Sequence, residues 1–503
     1  MTAISELAEN LIIDGTKVMY YPERIAAWER GEKIAPITID CAMTRACNAA
    51  CIVPQTNVLM ADGTCKQVID IVAGDQVASV GDDGTKQIST VVKTWLAHES
   101  SEIISVEWAG GRLRCTFDHL VMTPSKWVRA DELAEGVTII TADGERQVES
   151  ISGGYRPSPV YDLECIPHHN FVASGVVVHN CHFCFAQMQS SESEGKITKK
   201  VFFDFLDDAA EIGVRGVSFI SDGESTVVPW YADAVEHASA LGLKVGAGSN
   251  GIRLTKPILE RVLPHLSYLR FNFSAGERKR YAEIMGVPQS DYEVVVQNIK
   301  DGMEIIRRDN LPCSLNMQMV CDPVDGDQIV PFAKLSAELK PVYSTIKHCA
   351  DDVLGQLGVD YSKYDALIPA FDEAEEIGRQ AGVRIEVKRG RLDGKRKYTK
   401  CFGPPFIMQL SGNGTVAPCG FLFNERYRAF HLGSIITRRF KDIWASDRYD
   451  EVMRYLASDE FNPQERCGKN CLQHNTCDWM FRYENGQASL PILENAPPDL
   501  AFI

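Results

Sequence analysis

Hydrophobic positions follow three successive regimes along the chain. Pro36-Ile37-Thr38-Ile39-Asp40 is a short apolar run that ends on a carboxylate, and it reads as a buried strand with little before it to pack against. From residue 51 to residue 180 the runs become short and alternating, split by turn signals. Asn57-Val58-Leu59-Met60 meets Ala61-Asp62-Gly63, Val77-Ala78-Ser79-Val80 meets Gly81-Asp82-Asp83-Gly84, and Ile103 to Trp108 meets Gly110-Gly111. Period-two alternation with Gly and Asp turns predicts a compact all-β module with little helix. The stretch from 51 to 180 is long enough for one domain.

After Cys184 the period changes. Helical spacing over 200–212, 231–241, 257–263, 292–308, 328–339 and 371–380 alternates with strand-like runs over 216–220, 244–247, 268–273, 314–320 and 342–347. Repeated strand–helix units imply a parallel sheet or barrel. With residues 37–40 as the first strand there are six strands, too few for a closed eight-stranded barrel, so the expected architecture is an open (β/α)6 barrel. From about Arg396 cysteines return, with a hairpin signal at Ser411-Gly412-Asn413-Gly414. The expected organisation is therefore an α/β partial barrel made of residues 1–50 and 181–395, an all-β domain over 51–180 that interrupts it, and a small cysteine-rich α+β domain over 396–503.

Bulk composition narrows the partners. A net charge of -16 argues against a protein held mainly by nucleic-acid phosphates or anionic lipid, although Lys388 to Lys400 is locally basic. Met1 to Glu9 lacks the basic start and apolar run of a signal peptide, and no apolar stretch approaches a membrane span. A cytoplasmic protein is expected. In that setting the 16 cysteines point to metal or catalysis rather than to disulfides.

Two of the cysteine groups are incomplete as they stand. Cys47-x3-Cys51 has no third cysteine at ligand spacing, and Cys181-x2-Cys184 has nothing suitable before it. Joining Ala50 directly to Cys181 yields C-N-A-A-C-H-F-C, a C-x-x-x-C-x-x-C pattern whose three thiolates leave one iron of a 4Fe-4S cluster without a protein ligand. The removed segment carries the chemistry for such a rearrangement at its own ends. Cys51 can attack its preceding carbonyl to form a thioester, and Cys181 can take over the acyl group. Asn180 can cyclise on its own carbonyl, with His179 placed to move a proton.

Residues 51–180 resemble a class 1 mini-intein of the Hedgehog/intein fold. The likeness rests on Cys51-x4-Thr56-x-Val58 with Asp62-Gly63, on Thr116-Phe117-Asp118-His119, on Val160-Tyr161-Asp162-Leu163, on His169-Asn170-Phe171, and on Val178-His179-Asn180 before Cys181. By that resemblance Thr116 and His119 polarise the first scissile amide, Asp162 tunes the Cys51 and Cys181 steps, and His169 supports Asn180 cyclisation. There is no room for a homing endonuclease. An inserted regulatory β-domain is the plainer alternative.

The repaired motif, including Phe183 before its last cysteine, resembles that of the radical SAM superfamily, with Cys47, Cys181 and Cys184 as cluster ligands. The resemblance implies S-adenosylmethionine as cofactor, cleaved reductively at the cluster, and an electron donor such as flavodoxin or ferredoxin. Ser221-Asp222-Gly223-Glu224 resembles the family's G-G-E-P loop but departs from it at Ser221, Asp222 and Ser225. Asp222, Gly223, Glu224, Asn250 and Ser274 are the implied cofactor contacts. Cys401, Cys419, Cys467, Cys471 and Cys477 resemble a SPASM or shortened SPASM (twitch) domain, implying one auxiliary 4Fe-4S cluster, with structural zinc as the alternative. His474 reads as a surface residue, and Cys313, Cys321 and Cys349 as inert core thiols rather than hydrogen-atom donors. Such enzymes commonly modify peptides or proteins, so a peptide or protein substrate is expected, with a small molecule as the alternative. The competing class is a non-enzymatic zinc or redox-regulatory protein built around a β insertion.

Overall fold

The computed structural model describes residues 15–45, 52–81, 84–117, 119–125, 127–166, 168, 170–179, 197–220, 222–351, 353, 358–393, 395–469, 471–492, 496 and 500–503. The chain divides into two compact units: residues 1–45, 191–277 and 294–503 form one, and residues 46–190 with 278–293 form the other. Among the described residues no helix is long and apolar enough to cross a membrane.

In the first unit the expected strand–helix alternation is present. Thr38–Cys41, Gly216–Phe219, Lys244–Ser249, Leu266–Asn272, Ser314–Cys321 and Tyr343–His348 are the six expected strands, paired in parallel in that order. Two further parallel strands extend the sheet. Arg384–Val387 adds beyond Tyr343–His348, and Ile407–Leu410 adds on the far side of Thr38–Cys41. Thr415–Ala417 and Gly433–Ser434 then continue antiparallel. The cysteine-rich region thus shares the sheet of the barrel, and the Thr38 strand is an interior strand rather than an edge.

The registers sort the sheet into two faces. One carries Phe219, Leu315 and Ile385, and these meet the helices: Phe202 lies 5.6 Å from Phe219, and side chains at Gly302 and Gly378 would run into Leu315 and Ile385. Cys321 shares this helix-covered face with Leu315, and Cys313, Cys321 and Cys349 are all fully buried, in keeping with inert thiols. The opposite face holds Asp40, Ser218, Arg270, Asn316 and Gln409 at matched register. That alternation of apolar and polar faces is expected of a barrel whose interior holds a ligand rather than packing solid. One end of this interior is closed. Thr38 Oγ1 donates to Ala501 O at 2.7 Å, and Phe502 packs edge-on against Tyr268, 5.0 Å between ring centres.

The second unit contains an all-β module. Two 23-residue strands, Lys86–Trp108 and Gly144–Ile166, run antiparallel along most of their lengths. Short strands such as Asn57–Leu59, Gln76–Val80, Gly111–Thr116, Asn170–Ala173 and Val176–His179 complete its sheets. Among the described residues of the module, the helical segments are the single turns Val68–Asp70 and Ala130–Glu132. One continuous core, from Ile52 and Val58 to Val176 and Val178, fills the interior.

Candidate active site and auxiliary cysteine centre

In open parallel sheets the reactive side lies beyond the carboxyl ends of the strands. The loop after Gly216–Phe219 is organised by Glu224. Its Oε1 accepts from Thr226 N, Thr226 Oγ1 and Ser249 Oγ, and its Oε2 accepts from Asn250 N at 2.8 Å. Four donors on one buried carboxylate weld this loop to the loop after Lys244–Ser249. Asn250 Oδ1 in turn accepts from Ile252 N, and Ser274 Oγ, after Leu266–Asn272, accepts from Val320 N at 3.4 Å. Gly223 stands between the two acids with φ of 77°, a conformation that glycine adopts without strain.

Asp222 is turned away from this group. Its Oδ1 accepts from Gly412 N at 2.9 Å and its Oδ2 from Ser411 Oγ at 2.7 Å, with Arg45 Nε 3.6 Å away. Burial pushes its carboxyl up, opposed by the Arg45 charge and by the two donors from the 411–412 turn. Asp222 and Glu224 thus each have protein partners that tie this loop to its neighbours. Arg45, Ser411 and Gly412 carry no motif of their own. The Ser411 to Gly414 signal reads only as a hairpin, and a partner 190 residues away leaves no local trace.

Cys47, Cys51, His169, Asn180, Cys181, Cys184 and Ser221 lie outside the described residues. The described flanks of the cluster loop are firmly held. Ala42 N donates to Leu410 O at 2.9 Å, and Thr44 and Arg45 lie against Gly412 so closely that a Cβ there would fall 2.1 Å from Thr44 C.

Asp40, half-buried, faces the barrel interior, where Gln409 Nε2 donates to it at 3.1 Å. Burial pushes its carboxyl up to about 6, against the attraction of Arg270 and hydrogen bonds from Gln409 and Ser218. A carboxyl raised on folding binds more protons in the native state between its unfolded and folded values, so its contribution to stability falls as pH rises from about 4 to 6. Asp40→Asn removes that loss. The variant is expected to be more stable than the parent by about 1–2 kcal/mol at pH 7.5, with the difference gone near pH 4, read by thermal denaturation at both pH values.

The five C-terminal cysteines converge. Cys401 Sγ and Cys477 Sγ are 3.9 Å apart, and Cys471, Cys467 and Cys419 lie near enough to raise the Cys401 thiol. Burial pushes the Cys419 and Cys467 thiols up to about 12. Arg396 stands among them and is anchored to Pro463 O and Gly468 O. Its burial opposes the charge, but Cys471, Tyr398, Cys467 and Cys401 hold its pKa above the ordinary value. Gly403 leaves room here, since a Cβ would come within 2.7 Å of Gln473 Oε1 and 2.9 Å of Cys477 Sγ.

Buried thiols ionise when a metal supplies the countercharge, so this set fits a thiolate-bound iron–sulfur cluster. Among the described residues no three His, Cys, Asp or Glu side chains are drawn together as tightly as one metal ion requires. A cluster is wider than a single ion, so the spacing favours the cluster over zinc. His474 is half-buried rather than at the surface, with Nδ1 3.3 Å from Tyr398 Oη, because its helix, His474–Glu484, packs Cys477 inward. Cys477→Ser is expected to remove the auxiliary iron, about four atoms per chain, while leaving the SAM-site iron in place, as read by iron analysis of the reconstituted protein.

In the all-β module both ends meet one segment. Ile52 bridges Cys115 and Tyr161, exchanging backbone hydrogen bonds of 2.9 and 2.7 Å with Tyr161. A little beyond Cys115, Val121 pairs with Val178. Thr116 and His119 lie on the intervening segment, both buried, with His119 N donating to Thr116 O at 3.1 Å. Asp162, buried beside Tyr161, accepts from Leu163 N through Oδ1. The backbone of His179 pairs with Asn170. The residue that follows Cys51 therefore bridges the chain neighbours of Thr116 and Asp162, and His119 lies three residues beyond Thr116.

A parallel sheet with its loops tied at the carboxyl ends, together with a half-buried five-cysteine centre, points to a partial-barrel iron–sulfur protein. Residues 178–326 match the model of the radical SAM superfamily, and residues 401–472 match that of SPASM, an iron-sulfur cluster-binding domain. The chain thus carries a radical SAM domain and a SPASM region, and these domains imply S-adenosylmethionine and 4Fe-4S clusters. The superfamily match opens at Val178, just before Cys181. An AdoMet-dependent heme synthase of Methanosarcina barkeri (strain Fusaro / DSM 804) is 23% identical over 314 residues, 58% of this chain and 83% of that relative. An S-adenosylmethionine-dependent nucleotide dehydratase of Flammeovirga pacifica is 27% identical over 114 residues, 22% of this chain and 39% of that relative.

Among solved structures, an intein-like domain from Clostridium thermocellum shares 26% identity at a TM-score of 0.25, covering 26% of this chain and 98% of that domain. A DnaB intein from Synechocystis sp. PCC 6803 shares 19% at 0.24, covering 26% and 99%.

Proposed function

We propose that the chain is the precursor of a radical SAM enzyme, and that residues 51–180 excise themselves and join Ala50 to Cys181. The observation that carries this reading is the convergence of both ends of the all-β module on Cys115–Val121, the segment that holds Thr116 and His119, with Ile52 also bridged to Tyr161, the chain neighbour of Asp162. Cys51 is the first nucleophile, Asn180 the cyclising residue and Cys181 the acceptor, with His169 and His179 assisting. Excision leaves a host in which residues 1–50 and 181–395 are the barrel and 396–503 the auxiliary region.

In the spliced enzyme Cys47, Cys181 and Cys184 hold the cluster. Bound there and reduced, it supplies the electron that cleaves S-adenosylmethionine. The chain's own residues hold the site in shape. Glu224 locks the loops that carry Gly223 and Asn250, and Asp222 fixes the 411–412 turn. We assign a small molecule as substrate, supported by the names of the two relatives, a heme synthase and a nucleotide dehydratase. The SPASM region favours a peptide or protein as the second reading. A flavodoxin or ferredoxin is the proposed electron donor.

Mass spectrometry of the expressed protein tests the first half. Two species are expected, one with the mass of residues 51–180 and one with that of 1–50 joined to 181–503. Anaerobic reconstitution tests the second half, with brown protein that releases 5'-deoxyadenosine expected. Colourless, zinc-replete protein would return the chain to the metal-binding class.

A further inference from the structure

The polar face of the barrel contains donors that its own residues do not use. Arg270, in the Leu266–Asn272 strand, and Asn316, in the Ser314–Cys321 strand, are register partners and therefore point to the same side. Arg270 Nε and Asn316 Nδ2 are both buried and have no hydrogen-bond acceptor among the described residues. Asn316 is only 1% exposed, and its other amide atom, Oδ1, already accepts from Ser314 Oγ at 3.1 Å. Buried donors of this kind are normally paired, and two on adjacent strands call for one acceptor-rich group between them.

Three further features define that group. Gly248, the neighbour of Arg270 on the Lys244–Ser249 strand, leaves the guanidinium its space: a Cβ there would lie 3.2 Å from Arg270 Nη2. Lys347, on the same face of the Tyr343–His348 strand, adds a second cation whose charge, like that of Arg270, reaches Asp40. Toward the edge of the sheet, Glu386 is engaged by Lys388 Nζ at 2.5 Å and by Arg384 Nη2 at 3.5 Å. Arg270 and Lys347 both attract the inward carboxyl of Asp40. Planar oxyanions suit such a fork of donors, and phosphates suit it nearly as well.

We propose that Arg270 and Asn316, on the inner face of the barrel, grip an oxyanion of the substrate, a carboxylate or a phosphate. The assignment rests on the radical SAM reading, because it places the gripped group beneath the mouth of the barrel. It narrows the substrate to an acidic small molecule and leaves Asp40, on the opposite side of the same face, to contact its other end.

Isothermal titration of the purified full chain with pyrophosphate and, separately, with succinate tests the proposal. One of the two probes is expected to bind the parent, and the one that binds decides between phosphate and carboxylate. Arg270→Gln is expected to weaken that binding at least about tenfold. Asn316→Asp, which keeps the shape but replaces the donor by an acceptor, is expected to do the same and guards against a folding defect in the first variant. Lys200→Gln, whose side chain is exposed and paired with Asp204, is the neutral control.

Failure of both probes to bind the parent, or parent-like binding by both variants, overturns the assignment. So does an equal loss of S-adenosylhomocysteine binding in Arg270→Gln, which would give the pair to the cofactor's carboxylate. Release of 5'-deoxyadenosine by the same preparations reports on the enzyme reading independently: release without probe binding overturns the oxyanion site alone.

Discussion

Replacing Cys51 and Asn180 together by alanine is expected to leave a single species of 503 residues that does not cleave S-adenosylmethionine. Neither residue belongs to the C-x-x-x-C-x-x-C set, so all three cluster cysteines remain in the chain. They remain separated by the whole of the insert, however, and a site of three thiolates requires them to reach one cluster together. The expected loss is at least about a thousandfold, in the range seen when residues that act as a unit are disabled. Intact mass and 5'-deoxyadenosine release from one preparation read both halves of the result. A gene lacking residues 51–180 should restore activity without any splicing step. Full activity in the unspliced double variant would show that the insert does not interrupt the cluster site.

Gly412→Ala is the second substitution with a large expected effect. An added Cβ would fall 2.1 Å from Thr44 C, 2.3 Å from Thr44 O and 2.4 Å from Arg45 N, all backbone atoms. Backbone cannot swing aside as a side chain tip does, so either the 411–412 turn or the root of the cluster loop must move. Overpacking of this kind costs about 1–3 kcal/mol, and here it also disturbs the Asp222 bonds to Ser411 and Gly412. The expected outcome is a drop in S-adenosylmethionine cleavage of at least about thirtyfold, since small misplacements at a reacting centre are costly. Auxiliary-cluster iron should be unchanged. Gly390→Ala, where nothing lies within 4 Å, is the matched control and should behave as the parent.

Much of this was legible before any coordinates. The six central strands announce themselves because parallel strands covered on one face are short, apolar and regularly spaced by helices. The proposed insertion point is legible for a different reason: the chemistry proposed for Cys51, Asn180 and Cys181 sits at the ends of the segment it would act on, so sequence position alone marks it. Arg384–Val387 escapes notice because four residues alternating with charge carry too little signal. The two 23-residue strands read as several short ones because register shifts at Val148/Ser150, Tyr155/Ser158, Val160/Tyr161 and Glu164/Cys165 break their alternation. Asp222 and Glu224 are found by resemblance as a loop, but their partners are not. Which donors a carboxylate meets depends on how distant strands are ordered, and Gly412 is no more conspicuous in the sequence than any other turn glycine. Arg270 and Asn316 are hidden in the same way, since only the register of two strands shows that they face inward together.

The interior position of Thr38–Cys41 bears on how the chain is made. This strand leaves the ribosome before both of its neighbours in the sheet, Gly216–Phe219 and Ile407–Leu410, which are translated much later. At roughly 5–20 residues per second, the stretch from the end of the insert to the second neighbour takes on the order of 10 to 50 seconds to synthesise. All strands of the β-module have emerged well before that interval ends. The insert therefore has a head start set by translation itself, and can fold while the strand that precedes it is still waiting for its partners.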